Sequence, residues 1–528
     1  MRLLLLFASL LLINGCGGGS TGSSDSSSST DFKPVEASYS LTNTNSIATI
    51  QNVTNATLHI DLGDTPKSLY LVTTSHFDNQ TISINGSSSN RVMNENSFSK
   101  SAESSQKSDL LQRVDSFNEK TFKLLRASSS GAESLQKNKR SSDNSEGATS
   151  QFCVDMDSSY SCTRQISATA VRVKSKIATA QGTKTLVVWL QDGLSIKSSA
   201  LDDLSRIFLE PGMGNDIYDW ETDIYSKEWG DDAQSTDSNL ISDASTVDIL
   251  VYNMNSSGIA GFFWPKDNFK KSFIAASNEK IMFYINAQLL AADEKETFTT
   301  LDHEFQHMIH FYQRAVLKDI HDDTWFNEMM SETTEDLLAT KIGYKGPRNV
   351  DPNDGSAGSA NNDGGRFPAF NADNTLSITS WGNSVAHYGK VSSFGTFLLR
   401  NYGGATLLHK LMSSSSYDKK ALLEATGESD LHKLVNNWGS AVILSDQTSI
   451  EGNLRYNSGT FFNTSYAGES YTLGSINFFN YTTAPKFRNS GTIDNYANLY
   501  SKIGENLSGS VNLTVNAPKG AIITLIAK

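Results

Sequence analysis

Residues 303 to 307 read His-Glu-Phe-Gln-His, and this spacing constrains the local fold more than any other feature of the chain. Side chains four residues apart share one face of a helix, so His303 and His307 can aim their imidazoles at one metal ion only if the segment is helical. Glu304 lies about 100° round from His303. It is badly placed to join the pair as a ligand, but it can reach a water beside the metal and take its proton. Phe298, Leu301, Phe305, Met308, Ile309 and Tyr312 surround the motif and predict a buried helix, not a solvated run of charge.

Two imidazoles do not complete a metal site, and the third ligand separates the alternatives. A His-x-x-Gly-x-x-His continuation would require Gly at 310 and His at 313, where the chain has His310 and Gln313. The remaining route is a carboxylate from a second helix. In Trp325-Phe326-Asn327-Glu328-Met329-Met330-Ser331-Glu332, Glu328 stands among apolar residues and is the expected third ligand. Glu332 follows at i+4 on the same face and is expected to accept the other ring N–H of a metal-bound histidine. His310 is expected as a hydrogen-bonded core histidine.

His-Glu-Phe-Gln-His followed by Asn327-Glu328-x-x-Ser331-Glu332 resembles the gluzincin arrangement, and most closely the hyicolysin family of secreted metallopeptidases. Ser277 to Ile285 resembles that family's strand before the active-site helix, and Tyr388-Gly389-Lys390 through Phe394, Phe397 and Leu398 resembles its later helix, so that roughly residues 185 to 450 are covered. The resemblance implies one zinc ion per chain on His303, His307 and Glu328, with Glu304 as general base. It also implies that strand 281–285 borders the cleft and offers its edge to an extended peptide. Glu332 stands where related enzymes carry an Asp, and Met329 where many have Gly or Ala. Tyr388 is the expected oxyanion donor, with its neighbour His387 as competitor.

The implied activity is that of a zinc endopeptidase acting on proteins or peptides. Related aminopeptidases carry a Gly-x-Met-Glu-Asn segment whose Glu grips the free amine, and this sequence has none, which places aminopeptidase action second. A non-catalytic surface adhesion lipoprotein is the alternative outside enzymology, but no ligand position is lost. The net charge of −13 carries no basic stripe, which argues against nucleic acid as a partner. Oligomeric state is not legible.

The N-terminus predicts a bacterial lipoprotein signal over 1–15: Met1-Arg2, an apolar run from Leu3 to Ile13, then Gly15-Cys16, with Cys16 lipidated. The chain would then be exported and held at the cell surface or facing the periplasm by that anchor alone. Residues 16–35 predict a Gly/Ser tether. With Cys16 committed to lipid, Cys153 and Cys162 are the remaining pair in an exported chain and predict a small disulfide loop.

The overall expectation is an α+β fold: a zincin-like core over 151–449 with a mixed sheet, the active-site helix and then a helical subdomain, flanked by small β domains. The flanks are an N-terminal β domain over 36–88, read from alternation such as Thr57-Leu58-His59-Ile60-Asp61-Leu62, and a C-terminal β module over 450–528. Residues 89–150 read as a Ser-rich linker with one amphipathic helix at Leu110, Val114, Phe117, Thr121 and Leu124, or as a removable pro-segment. Strands are expected at 170–173, 185–190, 247–252 and 281–285, before the helices. The acidic pairs Asp202-Asp203, Asp231-Asp232 and Asp322-Asp323 lack the regular spacing of a calcium loop and are expected as solvated surface.

Overall fold

The computed structural model describes residues 33–43, 45–88, 91–92, 109–118, 145–256, 258–382 and 384–528. The signal segment, Cys16, nearly all of the tether, and Thr121 and Leu124 of the expected helix lie outside these residues. The strands are β1 (Lys33–Ser40), β2 (Ser46–Asp61), β3 (Lys67–Thr74), β4 (Gln80–Ser88), β5 (Arg91–Val92), β6 (Thr149–Met156), β7 (Cys162–Thr179) and β8 (Gly182–Gln191). They continue as β9 (Thr246–Tyr252), β10 (Gly261–Phe263), β11 (Ile281–Asn286), β12 (Phe462–Tyr466), β13 (Glu469–Leu473), β14 (Ser490–Ile493), β15 (Asn498–Leu507) and β16 (Ser510–Ala527).

The architecture is mixed α/β, with a barrel-like sheet, a second mixed sheet and a helical region between them. In β2 and β16 the alternation places Leu58, Ile60, Val511 and Leu513 in the interior, with Thr57, His59, Asn512 and Thr514 on the other face. Leu58 sits opposite Leu513, and Ile60 opposite Val511. Strands from the two stretches read as separate flanking modules, β1 to β4 and β14 to β16, therefore share one eight-stranded sheet and core, while β12 and β13 pair with each other in a two-stranded sheet apart from it. Alternation reports which face is buried but says nothing about which strand is the neighbour. The long β16 pairs with β2 along one side and with β4 and then β3 along the other, its register shifting between Asn516 and Ala521.

Helix Leu431–Ile443 joins this sheet to the rest of the molecule. Asn436 Nδ2 donates to Thr74 Oγ1 at 2.9 Å, and Thr524 Oγ1 donates to Asn436 Oδ1 at 2.6 Å. Asn498 Nδ2 donates to the Val435 carbonyl at 2.8 Å.

The second sheet runs in the order β10-β11-β9-β8-β7-β6. Its parallel members β8, β9 and β11 carry near-continuous buried runs, Leu186 to Val188, Val247 to Tyr252 and Ile281 to Asn286, because both faces of the sheet are covered. Cys153 and Cys162 form a disulfide across the β6–β7 hairpin, with Cα atoms 5.8 Å apart. The expected order of sheet first and helices after it needs correcting, since helices Ser198–Phe208 and Ile217–Tyr225 lie between β8 and β9. Parallel neighbours need such a crossover. A second correction concerns the sheet edge: β11 is interior, and the edge is the short antiparallel β10, which among the described residues pairs only with β11. Three residues, Gly-Phe-Phe, are too few to show a strand period.

Candidate metallopeptidase site

The motif helix spans Glu294–His310 and is capped by Asp293, whose Oδ1 accepts from the backbone N–H groups of Lys295 and Glu296, both at 3.0 Å. The second helix spans Thr324–Ile342 and stops at Gly343, whose φ of 73° suits a left-handed cap. The two helices run antiparallel: Lys295, near the start of the first, donates from Nζ to the Gly343 carbonyl just past the end of the second, at 3.0 Å.

This packing brings His303, His307 and Glu328 together, with one ligand atom of each within 4.8 Å of the others. Glu328 Oε2 lies 3.3 Å from His303 Nε2 and 3.8 Å from His307 Nε2. Two ligands each about 2.1 Å from a tetrahedral zinc stand about 3.4 Å apart, so the donor set fits the ion in type and spacing. Electrostatics agree. Burial disfavours charge on His303, yet hydrogen bonds with Glu328 and Glu335 outweigh it and hold that ring well above its usual range. Burial pushes His307 down to about 4, leaving it neutral and able to offer a lone pair. The surroundings thus favour one positive charge, which a cation held between the rings would supply.

The groups behind the imidazoles differ from the sequence reading. Glu335, not Glu332, meets His303, its Oε1 standing 2.8 Å from Nδ1. His307 Nδ1 lies 3.1 Å from both Asn327 Oδ1 and Ser331 Oγ. Glu332 instead receives the Arg366 guanidinium, with Nε–Oε2 at 2.9 Å and Nη2–Oε1 at 2.7 Å. The cause is helix direction: in an antiparallel pair the earlier histidine meets the later acid. Glu335 was nevertheless within reach of the sequence, because i+7 from Glu328 returns to the same face after two turns.

Glu304 is buried beside the cleft, where the backbone N–H of Phe263 in β10 donates to its carboxylate. Burial pushes the carboxyl up to about 7, opposed by the charge of His303. Gly261 allows β10 to press this close, since a Cβ there would lie 2.7 Å from Thr300 Cγ2 and from the Tyr284 carbonyl oxygen.

Tyr388, in helix Val385–Asn401, lines the cleft 5.5 Å from the Arg366 guanidinium. His387 is not among the cleft-lining residues; its Nδ1 lies 2.8 Å from Ser384 Oγ and its ring packs edge-on to Trp381. His310 is buried, with Nε2 3.1 Å from Asp322 Oδ2. The expectation of a solvated Asp322 is corrected by the same contact: its carboxylate is fully buried between His310 and Arg314, a pairing that a local acidic doublet does not announce. Arg366, unsuspected from sequence, joins Glu332 to the cleft wall.

A helix pair that brings two imidazoles and a carboxylate together beneath a sheet edge, with a second carboxylate beside them, has the donor set of the helix-motif metallopeptidases. The Peptidase M30 profile matches residues 166–527, and the chain belongs to this hyicolysin family of metallopeptidases, which are zinc-binding hydrolases. The match takes in β14 to β16, so the C-terminal strands fall within the family region. No curated protein matches the chain.

Proposed function

We propose that the chain is an exported, lipid-anchored zinc endopeptidase that cleaves extended segments of protein substrates. The observation that carries this reading is the convergence of His303, His307 and Glu328 beside Glu304 in a cleft bordered by an edge strand. His303, His307 and Glu328 hold one zinc ion. Zinc, when bound, supplies Lewis-acid polarisation of the scissile carbonyl and acidification of the attacking water. Glu304 accepts the proton of that water and passes it to the nitrogen of the leaving amine. Tyr388 donates its hydroxyl hydrogen to the oxyanion, a role that its place on the cleft wall supports better than the position of His387 does. The free side of β10 pairs with the substrate main chain, so recognition depends chiefly on backbone.

Export and anchoring rest on the 1–16 segment and on the disulfide, which suits an oxidising compartment. No helix among the described residues is long and apolar enough to cross a membrane. The test is zinc content of the purified chain by elemental analysis, with cleavage of casein and of peptides blocked at the amino terminus, before and after chelation. Chelator-sensitive cleavage of blocked peptides is expected. Cleavage confined to peptides with a free amine would make the enzyme an aminopeptidase, and zinc-free protein inert toward casein would overturn the catalytic reading. Cys16→Ser should release the protein from membranes; unchanged membrane fractionation would remove the anchor.

A further inference from the structure

Helix Asp109–Ser116 lies outside the family-matched region, yet it is built into the cleft. Leu111, Val114 and Asn118, spaced i, i+3 and i+7, line the same cavity as His303, Glu304 and Tyr388. The helix packs against β10, the sheet edge at which an extended chain would pair. It is seated by specific contacts. Arg113 grips Asp155 of β6 with Nε–Oδ1 at 3.0 Å and Nη2–Oδ2 at 2.7 Å. Val114 and Phe117 are buried, and the Phe117 ring meets Tyr160 and Phe269 edge-on, both with centroids 6.3 Å apart. Leu111 is only half-buried and contributes an apolar surface to a cleft that also exposes Val385. With the helix in place the cavity still measures about 790 Å³, within the roughly 300–1,000 Å³ of sites that hold ligands, so the helix narrows the cleft without filling it.

We propose that helix Asp109–Ser116 is a wall of the substrate cleft supplied from outside the peptidase region, and that Leu111 selects polypeptides bearing an apolar side chain near the bond to be cut. This inference rests on the peptidase reading above. A chain in extended conformation along β10 turns alternate side chains to one side, and there Leu111 rewards burial of an aliphatic or aromatic group and disfavours a carboxylate that would lose its water. Arg113 and Phe117 act as positioning residues that hold Leu111 in place.

The test uses the full-length zinc-loaded enzyme and a peptide series differing at one position by Leu, Phe, Lys or Asp, comparing wild type with Leu111→Asp and with the milder Leu111→Ala. The wild type is expected to favour Leu and Phe over Asp. Leu111→Asp should lower that kcat/KM ratio by roughly ten-fold or more, Leu111→Ala by less, with zinc content unchanged in both. If Leu111→Asp fails to fold, the ratio measured for Leu111→Ala decides. An unchanged ratio overturns the proposal. So does an equal gain on every peptide, which would make the helix an obstruction and not a selector. A wild-type enzyme that cuts none of the series overturns the peptidase reading itself, whereas cutting with unaltered preference overturns only this inference.

Discussion

The β2–β16 side of the barrel-like sheet and the core of the second sheet bury apolar residues in opposite ways, and the contrast separates holding the molecule together from doing its chemistry. Where β2 faces the first half of β16 the barrel-like sheet alternates, one face enclosing its core and the other outside it, whereas β3 and Ala521 to Ala527 of β16 are buried on both faces. The β8–β9–β11 sheet is buried on both faces, and helices pressed against it carry the site: the motif helix packs on β10 and β11. Buried polar groups gather in the second region, some of them paired, as Glu335 is with His303 and Asp322 with Arg314, while Glu221 keeps a buried carboxylate with no hydrogen-bond partner among the described residues. In the barrel-like sheet, loss of one side chain should cost stability; beside the motif helix, loss of one charge should cost function.

Five substitutions test that division, taken from the largest expected effect down. Glu304→Gln should lower kcat by about 10²- to 10⁴-fold while zinc content and the unfolding midpoint stay as they are; retained turnover would remove Glu304 as the base. Leu513→Ala, in the barrel interior, should cost about 2–5 kcal/mol in urea unfolding and leave zinc affinity untouched. Because Asn436 and Asn498 tie that sheet to helix Leu431–Ile443, one cooperative transition is expected, and two would divide the molecule at this seam.

Glu335→Gln should weaken zinc binding by roughly 10- to 100-fold in a competitive chelator titration. Glu332→Gln should do less, because its partner is Arg366 and not a ring nitrogen. Equal effects would erase the distinction drawn between these two acids.

Asp322 is a charge in this region whose loss is read in stability, with a pH signature. Burial raises its carboxyl, but His310 and Arg314 outweigh that and hold it far below the usual range. Its contribution is therefore complete above the unfolded value of about 3.9 and fades as pH falls below that value. Asp322→Asn should lower the urea midpoint at pH 7 and differ less from wild type at pH 3. A gap that widens in acid would reverse the assignment.

Spacing within one helix was legible: His303, Glu304 and His307 needed only the 3.6-residue period. The barrel-like sheet's strands were legible as strands through alternation, but their union was not, because Leu58 and Leu513 come together across most of the chain. Glu335 was missed because helix direction is a tertiary fact. β10 was missed because three residues hold no period, although it brings the sheet edge and a backbone N–H to Glu304. Helix Ser198–Phe208 carries Leu201, Leu204 and Phe208 on one face, a helical period that the sequence itself displays.

The place of β16 between β2 and both β3 and β4 sets a schedule for synthesis. About 450 residues separate β2 from this partner, a wait of roughly 20 to 90 s at a ribosome adding about 5–20 residues per second. Until then the early strands lack their central neighbour, so the chain passes through a long interval in which it is easily kept unfolded and its unpaired edges need a chaperone.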